Sequence, residues 1–147
     1  MNLVTKENVN FNLNTTTKEE TLKELASMAF KLGKVSDSDT FFKALCERET
    51  ESTTGFGNGI AIPHARHACV KEAGILFVRC SNDIEWESLD GDPVNVCVCL
   101  IAPDDQNDFH LKTLSKFARK LMHEDFVDVL KNASEEDVLK SINEVIA

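Results

Sequence analysis

Val94-Asn95-Val96-Cys97-Val98-Cys99-Leu100-Ile101 is the stretch on which the architecture turns. It is apolar on both alternating faces, so it predicts a strand buried on both sides, and Pro103 closes it. Cys97 and Cys99 stand two apart and share one of those faces. A strand covered on both sides needs helices above and below it, and the surrounding sequence supplies them. Ala73 to Cys80 (AGILFVRC) reads as a second strand, and the alternation Val9, Phe11, Leu13 as a short first one. The connection Ile84 to Gly91 ends on an Asp-Gly turn signal.

Helices fill the intervals. Thr17-Lys18-Glu19-Glu20 forms a capping box, with the Thr17 hydroxyl and the Glu20 carboxylate satisfying free helix donors. Leu22, Leu25, Ala26, Met28, Ala29 and Leu32 follow at helical spacing, and Gly33 ends that helix. A second helix is expected from near Asp39 to Arg48, burying Phe41, Phe42 and Leu45. The last third is helical, with one stripe of Leu111, Leu114, Phe117, Ala118 and Leu121. A shorter stripe of Phe126, Val127 and Leu130 follows, and Ser134 caps a terminal helix. No repeat or linker interrupts the 147 residues. The expectation is one α/β domain over residues 1–147, a three-layer α/β/α arrangement with a mixed, mostly parallel sheet flanked by helices.

Composition narrows the function. Twenty-five acidic against 16 basic residues give a formal charge of −9, which argues against binding nucleic acid or an anionic membrane surface and suits a basic protein partner. No stretch approaches the roughly 18 apolar residues of a membrane helix, and no basic-then-apolar leader opens the chain, so a cytoplasmic location is expected. The five cysteines are odd in number and form no CxxC pair, which fits small buried side chains in a reducing compartment.

Chemistry concentrates in Gly55-Phe56-Gly57-Asn58-Gly59-Ile60-Ala61-Ile62-Pro63-His64. Alternating glycines give a loop free to take positive φ, Ile60 to Ile62 a short buried strand, and Pro63 a stop. His64 is thereby delivered to a strand end with an ordinary pKa of roughly 6.5, neutral and nucleophilic at cellular pH. His110 follows the other strong strand at the start of a helix. Ligand sites gather at strand carboxyl ends, so the two imidazoles can share a crevice, and the helix N-terminus near Asn107 suits an anion. Arg48, from its position alone, reads as a dipole-complementing cation at a helix end. A dinucleotide loop is excluded by the G-x-G-x-G spacing and the strand that follows it. A zinc site from His64, His67 and Cys69 has only three ligand-type residues.

The segment STTGFGNGIAIPHA (residues 52–65) strongly resembles the active-site signature of the type-2 IIA components of the bacterial phosphoenolpyruvate-dependent sugar phosphotransferase system, the fructose/mannitol class. Ala44-Leu45-Cys46-Glu47-Arg48-Glu49, Trp86-Glu87-Ser88-Leu89-Asp90-Gly91 with Pro93-Val94, and Asn107-Asp108-Phe109-His110-Leu111 resemble further motifs of that family, so the likeness spans nearly the whole chain. The resemblance implies that His64 accepts a phosphoryl group on Nε2 from phosphorylated HPr, the histidine phosphocarrier protein. It implies onward transfer to a IIB component, which phosphorylates a fructose-type sugar or hexitol, and contact with the membrane permease only through IIB and IIC. It casts His110 as a stabiliser of the phosphate and Arg48 as its binding cation, with no metal or cofactor. The glycines are expected to give clearance for a partner protein. Nitrogen-type regulatory IIA proteins use the same histidine and are the alternative, although the Glu85–Pro93 segment leans toward the fructose class.

Overall fold

The computed structural model describes residues 4–105 and 107–147, and of Asn107 and Phe109 the backbone alone. The elements run β1 (Val9–Leu13), α1 (Lys18–Lys31), α2 (Ser38–Glu51), β2 (Gly55–Gly57), β3 (Ile60–Ala61), β4 (His64–His67), β5 (Gly74–Ile84), β6 (Val94–Pro103), α3 (Asn107–Lys120), α4 (Glu124–Asn132) and α5 (Glu135–Ile146).

β6 is the axis of the sheet. Its order is β1-β5-β6-β3-β2, with β4 also paired to β6. β5 runs antiparallel to β6, whereas β3 and β4 run parallel to it one after the other, and β1 lies parallel to β5. β2 pairs antiparallel with β3, so the sheet is mixed, as expected, with three parallel pairings and two antiparallel ones among the described residues, the longest ladder, β5–β6, being antiparallel. Period-two alternation divides the core. Leu76, Val78, Cys97, Cys99 and Ile101 face α1 and α2 together with Leu25, Phe41 and Leu45. Ile75, Phe77, Val96, Val98 and Leu100 face the other way, onto Phe117, Leu130 and Ile142 of the C-terminal helices. The result is the expected three-layer α/β/α domain, with all five cysteines free and Cys97 and Cys99 on one face.

Several boundaries shift for local reasons. Thr17 Oγ1 accepts from the Glu20 N–H at 3.1 Å, but the Glu20 carboxylate reaches one residue further back, to the N–H and hydroxyl of Thr16. Asp37 caps α2 by accepting from Thr40 N–H at 2.9 Å, and the helix runs to Glu51, so Arg48 lies inside its last turn. β5 continues past Cys80 through an irregularity and regains register where Ile84 opposes Val94. Gly33 ends α1 with φ of 74°, as its position predicts. Leu111, expected in the buried stripe of α3, is exposed, whereas Phe117 and Leu121 of the same stripe are buried.

Candidate functional site

The chain jogs at Pro63, and that jog places His64. Ile60 and Ala61 pair with Val96 and Cys97; after a gap at Ile62 and Pro63 the strand resumes in the same register beside β6, with His64 opposite Leu100. Pro63 has no N–H to give, but its carbonyl accepts from the Leu100 N–H at 3.0 Å, so the backbone stays pinned through the break. His64 is the first residue of β4 and is only 6% exposed.

Its two ring nitrogens have different fixed partners. Nδ1 lies 2.7 Å from the Ile62 carbonyl oxygen, which can only accept. Nε2 lies 2.9 Å from Arg48 Nε, whose N–H can only donate. Together these partners force a single neutral tautomer, with the proton on Nδ1 and the lone pair on Nε2. Burial, the largest influence, holds the His64 pKa below its ordinary value; the Arg48 charge pushes the same way, and the Ile62 hydrogen bond opposes both.

Arg48 is oriented by its own helix. Its Nη1 donates to the Ser52 carbonyl at 2.8 Å, closing the C-terminal turn of α2, and its Nε lies 3.8 Å from the exposed Glu51 carboxylate. The helix-end role and the histidine contact are thus both met by one guanidinium, through different nitrogens. His110 comes from the first turn of α3. Its ring centroid sits 5.1 Å from that of His64, the planes inclined by 51°. His110 Nδ1 is buried without a hydrogen-bond partner among the described residues. Burial first, then the nearness of His64, Arg66 and Arg48, lowers the His110 pKa to about 4. Both rings are therefore neutral at neutral pH.

These groups border a cleft of about 410 Å³, lined among others by Glu47, Arg48, Glu51, His64, His110 and Leu114. A buried imidazole lone pair, a planar cation in contact with it and a second imidazole beside it suit a small tetrahedral oxyanion. His64, His110 and Arg48 are the three residues singled out in the sequence, and the fold brings them together.

The other expectations are answered individually. His67 borders the same cleft, but its Nδ1 accepts from Cys69 N–H at 2.9 Å and so belongs to the turn. Gly55 and Gly57 serve a close approach within the chain itself. A Cβ on Gly55 would come 2.8 Å from Ser88 Cα, and one on Gly57 would come 3.2 Å from Asp90 Oδ2, so the room they leave is taken by the 86–91 segment of the same chain. Phe56 packs half-buried against the core on the α3–α5 side. The side chains of Asn107 and Phe109, part of the second histidine motif, lie outside the described residues. The contribution the sequence did not reveal is the Ile62 carbonyl, a backbone atom whose direction no residue pattern encodes.

The described residues include no helix long and apolar enough to cross a membrane. The profile of the family described as "Phosphoenolpyruvate-dependent sugar phosphotransferase system, EIIA 2" matches residues 2–145. The chain is 36% identical over 126 residues to the fructose-like EIIA component of Escherichia coli, covering 86% of this chain and 85% of that protein. Among solved structures, the nitrogen regulatory protein IIA-Ntr of Neisseria meningitidis superposes with a TM-score of 0.89 at 28% identity, over 95% of this chain and 96% of that one. The E. coli IIA-mannitol component, solved in complex with its phosphorylated IIB, shares the fold with a TM-score of 0.79 at 20% identity, over 95% and 96% of the two chains. With a motif-bearing site on the same fold, the chain belongs to the EIIA 2 family of the phosphoenolpyruvate-dependent sugar phosphotransferase system, a family of phosphotransferase components.

Proposed function

We propose that the protein is a phosphocarrier in which His64 Nε2 takes a phosphoryl group from phosphorylated HPr and passes it to a IIB component serving a fructose-type sugar or hexitol. The observation that carries this reading is the tautomer lock: with Nδ1–H held by Ile62, the lone pair available for attack is on Nε2, at the cleft with Arg48 and His110. The lone pair forms the new N–P bond as the donor's N–P bond breaks and its electron pair returns to the donor ring. His64 keeps its Nδ1 proton, and the imidazolium-like charge that develops is stabilised by the Ile62 carbonyl. Arg48 moves its fork from the lone pair onto the phosphoryl oxygens, where His110 also donates. Such transfer asks little of the protein beyond alignment and charge stabilisation.

Incubation with phosphoenolpyruvate, enzyme I and HPr tests this directly. The expected result is one acid-labile phosphate per chain, abolished in a folded His64→Ala variant; label retained by that variant overturns the assignment. Addition of a fructose-class IIB then tests discharge. The likeness to the nitrogen regulatory protein supports a second reading, in which the phosphorylation state controls a bound partner. Under that reading the phosphorylated protein discharges to no sugar-class IIB.

A further inference from the structure

The buried carboxylate of Glu49 takes no part in the chemistry described above, yet it stands at the root of the structure that holds His64. Glu49 follows Arg48 on α2, and its side chain is only 7% exposed. One of its oxygens accepts from the Thr54 hydroxyl, and the other accepts from the Thr54 N–H at 3.3 Å. The Thr54 hydroxyl oxygen in turn accepts from Trp86 Nε1–H at 3.2 Å, and Trp86 is fully buried. Lys18 Nζ lies 3.9 Å from Glu49 and donates to the Trp86 carbonyl at 3.3 Å, so the carboxylate has a cation beside it.

From Thr54 the connection runs directly to the reactive ring. The Thr54 carbonyl accepts from Ile62 N–H at 2.9 Å. The carbonyl of that same Ile62 accepts from His64 Nδ1–H at 2.7 Å. The carboxylate also ties the last turn of α2, which carries Arg48, to Thr54 in the segment that leads into β2. Both partners of the imidazole are thereby referenced to one node.

We propose that Glu49, acting through Thr54, is a positioning residue that sets the Ile62 carbonyl and hence the Nδ1–H tautomer and ring orientation of His64. Glu49 touches no reacting atom. It fixes the angle at which the carbonyl meets the ring and the distance from Arg48 to Nε2. In-line transfer is sensitive to displacements of an ångström or less, so loosening this node is expected to slow phosphoryl uptake by about ten- to a hundredfold. The proposal rests on the reading of His64 as the phosphoryl acceptor, but its first readout does not require transfer.

The experiment records the ring ¹⁵N shifts of His64 in the unphosphorylated full chain, for wild type and for Glu49→Gln, Thr54→Val and Thr54→Ser, alongside the rate of phosphorylation by phosphorylated HPr. Wild type is expected to show one tautomer, protonated at Nδ1. Glu49→Gln and Thr54→Val are expected to shift the ring nitrogens toward a tautomer average and to slow uptake, while Thr54→Ser, which keeps the hydroxyl, restores both. Should Thr54→Val fail to fold, Glu49→Gln carries the test, since it preserves side-chain size. Wild-type ring shifts and uptake rates within twofold of wild type in a folded Glu49→Gln variant overturn the proposal. If wild type takes up no phosphate at all, the phosphocarrier reading fails, and the ring shifts still decide whether Glu49 positions the ring.

Discussion

Arg48 Nε–H and His64 Nε2 meet at 2.9 Å, so in the resting protein the cation occupies the lone pair that the proposed transfer needs. The contact orients the ring and places the guanidinium where phosphoryl oxygens would arrive, but it must break as the N–P bond forms. Arg48→Gln is expected to leave the fold intact and to lower the rate of phosphorylation by about a hundred- to a thousandfold, the usual effect of removing one charge-stabilising donor. Arg48→Lys restores the charge without the planar fork and recovers only part of that loss. Rapid-quench measurement of labelled phosphate transfer distinguishes the three proteins.

His110 gives the site a pH dependence of known sign. Its folded pKa of about 4 lies below the ordinary value of 6.5. Between those values the unfolded chain binds a proton that the folded chain refuses. The stability contributed by the neutral ring is present in full above pH 6.5 and is lost as pH falls through that window. Thermal unfolding of wild type and His110→Gln from pH 7.5 to 4.5 checks this: the variant should lose less of its Tm on acidification. Negative charge brought by phosphorylation of His64 should raise the His110 pKa, which a ring-proton titration by NMR would record.

Gly55→Ala tests what the glycines are for. A Cβ there meets the Ser88 backbone at 2.8 Å, so either β2 or the 86–91 segment must move. A loss of about 1–3 kcal/mol, typical of overpacking, is expected in chemical denaturation. Because Gly55 adjoins Thr54, phosphoryl uptake should fall as well.

Arg79 offers a contrasting case away from the site. Its guanidinium donates to the Leu130 carbonyl at 2.8 Å and the Ala133 carbonyl at 3.1 Å, closing the end of α4 from the sheet, and it stacks over Phe11. Arg79→Met should cost about 1–3 kcal/mol, the scale of charged hydrogen bonds, and leave the rate of phosphate uptake unchanged.

The legible parts of this protein were those written in side-chain periodicity and motif. The two-faced apolar run at Val94–Ile101 announced a buried strand and so the layered fold, and His64, His110 and Arg48 were each visible as residues. β4 was not visible, because His64-Ala65-Arg66-His67 lacks the apolar alternation of a strand; its pairing comes from β6, which has a free edge beyond the jog. The last turn of α2, Glu49 to Glu51, is illegible for a related reason: Glu49 and Glu51 look like loop residues until the buried partners of Glu49 are seen. The Leu111 side chain sits on the helical stripe and is still exposed, at the cleft, where periodicity carries no information about what lies opposite. Backbone acceptors such as Ile62 O leave no trace in the sequence at all.

The jog at Pro63 has a dynamic consequence. Because β3 and β4 both pair with β6, the backbone around His64 is held against the central strand, whose two faces are covered by apolar layers. The Leu100 amide, buried and bonded to the Pro63 carbonyl, is therefore expected to be among the slow-exchanging amides of the sheet. Arg48 and His110 instead come from helix ends at the rim of the cleft, so adjustment to a bound group is expected of their side chains. The imidazole itself is anchored through the Ile62 carbonyl, so its place in the cleft is set by the backbone.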